Sequence, residues 1–449
     1  MEVSHMKIKT FRGGIHPEEY KELSLGSPVE PYLPKGDLVF PVNQHIGKPA
    51  KPVVAKGDLV KAGQIIAEAD GFVSANIISS CSGKVKAIEE RPTASGAKAT
   101  CIVIENDGAY TLADGVGKKH KAGTFSNKDI LDAIQRAGIV GMGGAGFPTH
   151  VKLTSKNPDS IDYIIANGSE CEPYITCDDR LMQDQSRGIL DGLRLVLQLF
   201  PDAMGVIAIE DNKPEAIKAM EAVCAGEKGV MVQPVQTKYP EGGERNLISV
   251  VSGRDLKAGM LPADVGCIVC NVASLHAIYR AVYYSEPLMQ RYFTVSGDAV
   301  AKPGTFRVPI GTSYEEMVEA AGGLKSGVTL KKALSGGPMM GIAMPSLSAP
   351  ITKASNALTL LAEDEVELAD AQMTACIRCG RCSRVCPIHL IPQMMADAAQ
   401  RKDYEQYEHR LYGLDCINCG SCTWVCPAKR PLMQLFKQTK AEIMAAKRK

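Results

Sequence analysis

Two copies of one short cysteine motif constrain this chain more than any other feature of its sequence. The first copy, residues 376–387, reads CIRCGRCSRVCP, and the second, residues 416–427, reads CINCGSCTWVCP. Both follow the spacing C-x2-C-x2-C-x3-C-P, which brings four thiolates into each short segment. Thiolates are soft ligands that suit iron–sulfur clusters. Zinc sites use paired C-x2-C units instead, so the spacing favours iron–sulfur clusters over zinc.

The same spacing predicts which cysteines share a cluster. In bacterial ferredoxins that carry this run, the fourth cysteine of each motif ligates the cluster of the other motif. Applied to this chain, the rule predicts two [4Fe–4S] clusters. One set is Cys376, Cys379, Cys382 and Cys426, and the other is Cys416, Cys419, Cys422 and Cys386. Two clusters in one small module indicate one-electron transfer, in at one end and out at the other.

Composition and charge narrow the class of protein around these motifs. A net charge of +1 over 449 residues gives no reason to expect nucleic-acid binding. Fifteen cysteines in a chain of this length do not indicate a small secreted disulfide scaffold, and they fit a reducing cytoplasmic setting. We find no apolar signal region and no run of roughly 18 apolar residues that a membrane helix needs. We therefore expect a soluble protein, or one held at a membrane by its partners.

Residues from about 38 to 90 alternate apolar and polar positions between glycines, which predicts short strands. The phrases KGDLVKAGQ and SSCSGKV resemble the biotinyl and lipoyl carrier fold, a flattened barrel of short strands. A carrier needs a lysine at its hairpin tip, and this tip falls at residues 71–73, which read GFV. We expect this segment to serve as a scaffold or docking surface and not as a carrier.

A glycine-rich loop forms a second candidate site. Its glycines are Gly141, Gly143, Gly144 and Gly146. Without side chains, the loop leaves backbone N–H groups open to a flat or phosphorylated ligand. The pattern G-x-G-x-x-G is present, but a helix predicted from a cap at Ser126 precedes the loop and Pro148 follows it. This order disagrees with the dinucleotide fingerprint. A loop that is merely flexible is the alternative.

Polar side chains follow a predicted buried strand at residues 162–166. They are Asn167, Glu170 and Glu172. Ligands of open α/β sheets bind beyond the carboxyl ends of the strands. The two acidic groups could bond ribose hydroxyls or form a solvated turn, and the residues alone leave both interpretations open.

Several phrases in one order resemble the NADH- and FMN-binding subunit of respiratory complex I. They are GMGGAGFPTHVK, NGSECEP with DDRLM, YPEGGERNL and CNVASLHAI. The later stretch from VSGDAVAKPGTF to SGGPMMG resembles the SLBB domain of that subunit. With a carrier-like segment ahead and two cluster motifs behind, nearly the whole chain resembles the RnfC family. That family supplies one component of the membrane-bound Rnf ferredoxin:NAD oxidoreductases.

The resemblance implies a multidomain fold of α/β and β units. The expected units are a carrier-like barrel-sandwich domain at 1–115, an α/β core for FMN and NADH at 116–288, an SLBB-like β-grasp domain at 289–350, and an α-helical ferredoxin-like module with two [4Fe–4S] clusters at 351–449. The implied cofactors are FMN and the two clusters, with NAD(H) as substrate.

The resemblance also implies roles for single residues. The catalytic candidates are Lys152, Glu170 and Glu172. The expected contacts with FMN or the dinucleotide are the four loop glycines, Lys152, Asn167, Glu170, Tyr239, Gly242, Glu244, Asn271 and Ser274. The chain departs from the complex I pattern at Ser169, where that pattern has an aspartate, and at Cys270, where it has an asparagine. Both departures bear on the nicotinamide contacts.

The implied function is exchange of hydride between NAD(H) and FMN, followed by transfer of single electrons through the clusters. A flavin is needed because NADH gives two electrons together and a cluster accepts one. The implied partners are other Rnf subunits, including membrane-embedded ones and a ferredoxin-interacting one, at the cytoplasmic face of the membrane. The transfer would be coupled to ion translocation.

Two other functions remain open at this point. The first is a flavin and iron–sulfur protein similar to the cobalamin reductase of bacterial microcompartments, in which the glycine loop lies near the N-terminus. The second is an electron-wire protein that carries clusters and no flavin.

Overall fold

The computed structural model of the chain describes residues 8–121, 123–155, 157–257 and 259–447. Within these ranges the backbone forms four β-sheets, and helices flank one of them and build the C-terminal unit. Of the helices described, none combines the length and the apolar character that a membrane span requires. Elements are numbered below in chain order.

The N-terminal segment crosses other units before the first sheet begins. Ile15 forms an isolated bridge with Tyr239, and the N–H of Gly14 donates to the carbonyl oxygen of Val385 at 2.8 Å. The segment therefore contacts both the α/β core and the cysteine-rich unit. Its elements are α1, Glu22–Leu25, and β1, Glu30–Pro31.

Two small antiparallel sheets follow and confirm the predicted run of short strands. Their strands are β2, Leu38–Pro41; β3, Lys51–Pro52; β4, Leu59–Val60; β5, Ile65–Glu68; β6, Ile77–Ile78; β7, Gly83–Pro92; and β8, Lys98–Asn106. The sheet orders are β2-β8-β7-β4 and β3-β5-β6. Phe40, Ile66 and Ile104 are fully buried in a core that both sheets share. The predicted tip lies between β5 and β6, where Phe72 is 71% exposed.

A parallel four-stranded sheet forms the centre of the next unit. Its elements are α2, Asn127–Arg136; α3, Thr149–Leu153; β9, Tyr163–Gly168; α4, Cys177–Leu199; β10, Met204–Glu210; α5, Pro214–Cys224; β11, Val230–Val235; α6, Glu244–Ser252; β12, Cys267–Asn271; and α7, Val272–Tyr284. The strand order is β11-β10-β9-β12. The predicted capping box of α2 is confirmed, because Ser126 and Asp129 each bond the other's backbone N–H.

Alternate residues of β9 face different helices, as a strand buried on both sides requires. Ile164 packs in the core that contains α4 and α7, whereas Ile165 packs in the core that contains α6. Asn167 and Asn271 lie opposite each other in the register of β9 and β12. The sheet therefore brings two polar side chains together at its carboxyl edge.

A six-stranded sheet with one helix follows the parallel sheet. Its elements are β13, Gln290–Ser296; β14, Gly304–Pro309; α8, Tyr314–Ala320; β15, Lys332–Ser335; β16, Ile342–Ala343; and β17, Ala357–Leu361. The order is β1-β14-β13-β17-β15-β16. Because β17 pairs with both β13 and β15, this unit continues past the boundary that we placed at residue 350. The boundaries at 115 and 288 stay predictions.

The cysteine motifs lie in a helical unit at the C-terminal end of the described chain. Its helices are α9, Glu365–Ala371; α10, Arg381–Val385; α11, Pro392–Gln400; α12, Ser421–Trp424; and α13, Leu432–Ala446. Gly380 and Gly420 precede α10 and α12 with φ values of 72° and 80°. This left-handed conformation favours glycine and lets each loop turn sharply after its second cysteine.

Lys353 joins three of these units through buried hydrogen bonds. Its ammonium group donates to the carbonyl oxygen of Gly138 at 2.7 Å and to that of Asn76, and its N–H donates to Gln44. Burial lowers the pKa of Lys353 to about 7. The folded protein therefore binds this proton less tightly than the unfolded chain does.

We predict that Lys353→Met removes a pH dependence from the stability of the protein. Between about pH 7 and pH 10 the unfolded chain holds the Lys353 proton and the folded chain does not, so wild-type stability rises with pH in this window. The stability of wild type relative to Lys353→Met should rise by roughly 2 kcal/mol from pH 7 to pH 9. Thermal midpoints at both pH values measure the difference, with the exposed Lys325→Met as control. Parallel pH profiles for wild type and Lys353→Met would contradict the prediction.

Candidate functional site

The cysteines of each predicted set line one cavity in the helical unit. Cys376, Cys379, Cys382 and Cys426 surround the first cavity. Cys416, Cys419, Cys422 and Cys386 surround the second. In both cavities, the loop of one motif supplies three thiols and the last cysteine of the other motif supplies the fourth. Four thiols around one space form the donor set that a [4Fe–4S] cluster requires, so these residues fit the cofactor.

The two cavities differ in their exposure. Cys376 and Cys379 are exposed, whereas Cys419 and Cys422 are buried at 7% and 9% exposure. Phe436, together with other apolar side chains, lines the second cavity. We name the Cys376/379/382/426 cavity the outer cluster site and the Cys416/419/422/386 cavity the inner cluster site.

Tyr239 connects the inner cluster site with the α/β core. Its hydroxyl donates to the carbonyl oxygen of Cys419 at 2.7 Å, and the side chain is 1% exposed. The ring packs in a small apolar cluster with Ile15, Cys171 and Met339. The sequence suggested a contact between Tyr239 and the flavin, but the structure directs the hydroxyl to the cluster loop.

The glycine loop lies against the carboxyl edge of the parallel sheet. Gly141 N–H donates to the carbonyl oxygen of Phe147 at 2.8 Å and closes the loop. A Cβ atom on Gly143 would lie 2.9 Å from the side-chain nitrogen of Asn271, whereas one on Gly144 would meet nothing within 4 Å. The loop thus packs on Asn271 at one position and leaves its backbone open at the next. Gly146 adopts φ of 71°, which favours glycine at this turn.

Ser274 supports this loop from beneath. Its hydroxyl donates to the carbonyl oxygen of Val140 at 3.1 Å and accepts from the N–H of Met142 at 3.1 Å. The side chain is buried. The structure therefore shows that Ser274 positions the loop, and the direct cofactor contact that we expected stays a prediction.

Lys152, Asn167 and Glu244 lie at the same edge of the sheet. The Lys152 ammonium group donates to the carbonyl oxygen of Val269 at 2.9 Å and lies 3.3 Å from a carboxylate oxygen of Glu244. The Asn167 amide donates to the carbonyl oxygen of Gly242 at 3.0 Å. Lys152 keeps 26% of its side chain exposed, so a cation remains accessible in the cleft.

Gly242 completes this cleft and cannot carry a side chain. A Cβ at this position would lie 2.3 Å from the carbonyl oxygen of Ser169. Together, the open loop, the amide side chains and the Lys152 cation offer donors to phosphate and polar ring atoms. The residues therefore fit a phosphorylated, flat cofactor such as FMN.

Glu170 is not exposed in the cleft. It is buried and accepts hydrogen bonds from the N–H groups of Asp178 at 2.8 Å and Asp179 at 3.2 Å. These N–H groups belong to the first turn of α4 and lack partners within the helix, so the carboxylate caps that helix. Desolvation raises the pKa of Glu170. The structure thus shows a capping role for Glu170, and the catalytic role that the resemblance implied stays a prediction.

Glu172 ties the acidic turn to the six-stranded sheet unit. Its carboxylate accepts from the N–H groups of Met339 at 3.1 Å and Met340 at 2.7 Å. Burial raises the pKa of Glu172 to about 7. The group therefore changes its charge near neutral pH, which suits a residue that orients or exchanges protons.

Sequence reasoning missed two residues that shape this site. The Lys21 ammonium group donates to the carbonyl oxygens of residues 170, 172 and 175 at 2.6–2.9 Å. Its surroundings in the sequence, EEYKEL, resemble an exposed charged face, so no local signal identified it. Asp178 accepts from the Asn271 amide at 2.6 Å. Asp178 is the first residue of the phrase DDRLM, which resembles the complex I subunit, so that resemblance could have identified it.

Comparisons with known proteins agree with this arrangement. Four family models match successive parts of the chain: the RnfC barrel sandwich hybrid domain at 9–109, the Nuo51 FMN-binding domain at 134–280, the SLBB domain at 292–343 and the 4Fe-4S dicluster domain at 372–430. These matches confirm the predicted fold class and the predicted cofactors, FMN and two [4Fe–4S] clusters. The roles of single residues stay predictions.

Curated relatives match over nearly the whole chain. The C component of the proton-translocating ferredoxin:NAD(+) oxidoreductase complex of Clostridium ljungdahlii is 44% identical over 440 residues, which cover 98% of this chain and 95% of the relative. Its counterpart in the Na(+)-translocating complex of Acetobacterium woodii is 40% identical over 453 residues, with 99% of both chains covered. The counterpart in the ion-translocating oxidoreductase complex of Pseudomonas aeruginosa is 40% identical, with 98% of this chain and 57% of the relative covered.

We predict that Cys386→Ser and Cys426→Ser each remove one cluster, but not the same one. Each variant should retain about four irons per chain, because each lacks one ligand of a single [4Fe–4S] set. Iron retained by Cys426→Ser lies in the inner site, so a chelator should extract it more slowly than the iron retained by Cys386→Ser. Iron assays with a time course of chelation measure both quantities. Cys224→Ser, outside the motifs, should keep about eight irons. The opposite order of extraction would contradict the pairing.

Proposed function

Because the chain belongs to the RnfC family of the ion-translocating ferredoxin:NAD+ oxidoreductases, we propose that its glycine loop and sheet edge hold FMN beside the inner cluster site. The protein is an NADH- and NAD+-reacting electron-transfer subunit of this oxidoreductase. Its family match to an FMN-binding domain and to a dicluster domain supports the cofactors. The assignment of residues to each cofactor is the new part of the proposal.

Bound FMN exchanges hydride with NAD(H) and single electrons with iron–sulfur clusters. In our proposal, the open backbone around Gly144 would hold the FMN phosphate, and the Lys152 cation would help to bind the flavin. Asn167 and Asn271 orient the flavin by hydrogen bonds, since both lie at the same edge of the sheet. Glu172, whose pKa is raised to about 7, would lie near the bound dinucleotide.

One observation carries the proposal. The segment from Tyr239 to Gly242 contacts the inner cluster loop at its first residue and lines the cleft at its last. Three residues of backbone span at most about 11 Å, so the cleft and the inner cluster loop are close at this point. A flavin in the cleft would thus have the inner site as its neighbour and the outer site beyond it.

The partners follow from membership in a complex. The protein acts with other subunits of the Rnf complex, and we propose that these include membrane-embedded subunits and one that interacts with ferredoxin. We place the protein peripherally at the cytoplasmic face of the membrane. Two of the relatives described above belong to complexes that translocate different ions by name, proton and Na+. We therefore assign the choice of ion to the partner subunits.

The matches disfavour both alternative functions. A cluster-only electron wire has no use for the FMN-binding domain at 134–280. A cobalamin reductase of the compared kind carries its glycine loop near the N-terminus, whereas here the RnfC barrel sandwich at 9–109 precedes it.

Anaerobic reconstitution tests the function directly. The loaded protein should contain about eight irons, release a fluorescent flavin and reduce a dye with NADH. Protein with full iron that shows no flavin bands and no NADH oxidation would refute the proposal.

We predict that Glu172→Ala lowers NADH turnover at least about tenfold while about eight irons remain. The change removes the carboxylate and leaves the N–H groups of Met339 and Met340 without their acceptor. Glu172→Gln keeps one acceptor oxygen for these N–H groups but removes the negative charge, so it separates the loss of charge from the loss of the hydrogen bonds. Wild-type turnover should fall as the pH drops below about 7 and Glu172 becomes protonated, and the Gln variant should lack that dependence. Unchanged turnover in Glu172→Ala would remove the residue from the site.

We predict that Tyr239→Phe changes the reduction potential of one cluster only. The substitution removes the hydroxyl donor from the Cys419 carbonyl group, and hydrogen bonds around a cluster tune its potential. A redox titration followed by electron paramagnetic resonance separates the two clusters. Tyr404→Phe, at an exposed hydroxyl, is the control. Equal shifts of both clusters, or no shift, would contradict the contact that we describe.

A further inference from the structure

The two copies of the cysteine motif carry different charges at equivalent positions. Arg378, Arg381 and Arg384 of the first motif correspond to Asn418, Ser421 and Trp424 of the second. After the fourth cysteines, Lys429 and Arg430 correspond to His389 and Leu390. The loops of the outer cluster site therefore hold five cations, and the matching positions of the inner site hold no lysine or arginine.

Three of these cations, Arg378, Arg381 and Arg430, line the outer cluster site, and Arg384 and Lys429 lie in the same loops. Four of the cations, the three arginines of the motif and Lys429, are exposed, and Arg430 is partly exposed. Cys376 and Cys379 are exposed beside them, and Ile377 between these cysteines is 64% exposed. We call these loops, 374–386 and 426–431, the outer cluster face.

No described carboxylate forms an ion pair with these cations, although α9 carries Glu365, Glu367 and Asp370 shortly before the face in sequence. The loops of the face contain no aspartate or glutamate. None of the five cations forms an ion pair with a described aspartate or glutamate. Other exposed arginines behave differently, since Arg187 and Arg401 each pair with an aspartate one helical turn away. The charge on the face is therefore available to a partner.

We propose that the outer cluster face docks an acidic electron-transfer protein domain, with Arg378 and Arg381 as its main electrostatic contacts. This inference rests on the proposed function and identifies where electrons enter or leave the chain. Complementary charge speeds the encounter of two proteins and selects the partner. The exposed Ile377 supplies an apolar centre inside a charged rim, as is usual in protein interfaces. An anionic membrane surface would match the charge but cannot accept an electron from an exposed cluster.

The inner copy of the motif supplies the test variant. Arg378→Asn with Arg381→Ser gives the outer loop the residues that the inner loop already carries around a cluster. Such a variant should keep its cluster, because the same loop spacing holds these residues at positions 418 and 421. The matched control is Lys56→Asn with Lys84→Ser, which removes two exposed cations from the N-terminal sheets.

The assay uses reconstituted full-length protein and a pre-reduced plant-type [2Fe–2S] ferredoxin as an acidic one-electron probe. Two reduced ferredoxins, one NAD+ and one proton yield two oxidised ferredoxins and one NADH, which is followed by its absorbance. We expect the second-order rate with ferredoxin to fall about 3- to 10-fold in the arginine variant at low salt. We also expect the rate to depend less on salt than in wild type and in the lysine control.

Three accompanying measurements distinguish the outcomes. Wild type, the arginine variant and the lysine control should have the same iron content, the same flavin content and the same rate of NADH oxidation by the uncharged quinone menadione. If wild type contains no flavin or does not oxidise NADH, the proposed function is refuted, and not the docking proposal alone. Equal ferredoxin rates and equal salt dependence in the arginine variant and wild type would overturn the docking proposal. An equal loss in the lysine control would also overturn it. If the arginine variant no longer sediments with phosphatidylglycerol vesicles while its ferredoxin kinetics match wild type, the face binds an anionic membrane, and the docking proposal is overturned.

Discussion

The buried ammonium group of Lys21 fixes the loop on which the site depends. It binds three carbonyl oxygens of the turn between β9 and α4, within residues 170–175. A buried charge is costly unless it is hydrogen-bonded, so the turn is held in the one arrangement that satisfies this group. With the turn fixed, Glu170 caps α4 and Glu172 binds the loop at Met339 and Met340. One lysine thereby sets the positions of a helix and of a neighbouring sheet unit.

The same turn also sets the distance between the cleft and the clusters. Met339, held by Glu172, packs with Tyr239 and Cys419 in one small apolar cluster. The hydroxyl of Tyr239 then bonds the inner cluster loop. Electron transfer between cofactors requires that they stay close, and this contact relies on buried or partly buried side chains of three different units. The Glu172 carboxylate and the Tyr239 hydroxyl therefore lie at the contacts between structural units.

The predictions from sequence succeeded where the signal is local. Three cysteines of each set lie a few residues apart on one tight loop and face one cavity, as the spacing predicted. The fourth comes from the other motif, and the ferredoxin rule, not local spacing, predicted it. The capping of α2 was predicted from two residues three positions apart. For Glu170 and Ser274 the resemblance implied contacts with a cofactor, and the hydrogen bonds of their side chains to backbone groups were not predicted. The partners of Ser274, Val140 and Met142, come from a distant part of the chain, so local sequence carried no signal for them.

The sequence by itself determined the type of chemistry: thiolate spacing selects iron–sulfur clusters, and a loop of glycines leaves backbone donors open. Only the tertiary structure decided which of two nearly identical motifs is inner and which is outer. The motifs share their local geometry, so exposure depends on what packs against each of them. The α/β core covers the copy with neutral side chains through Tyr239, and the copy with arginines stays at the surface because desolvating several unpaired cations would cost too much.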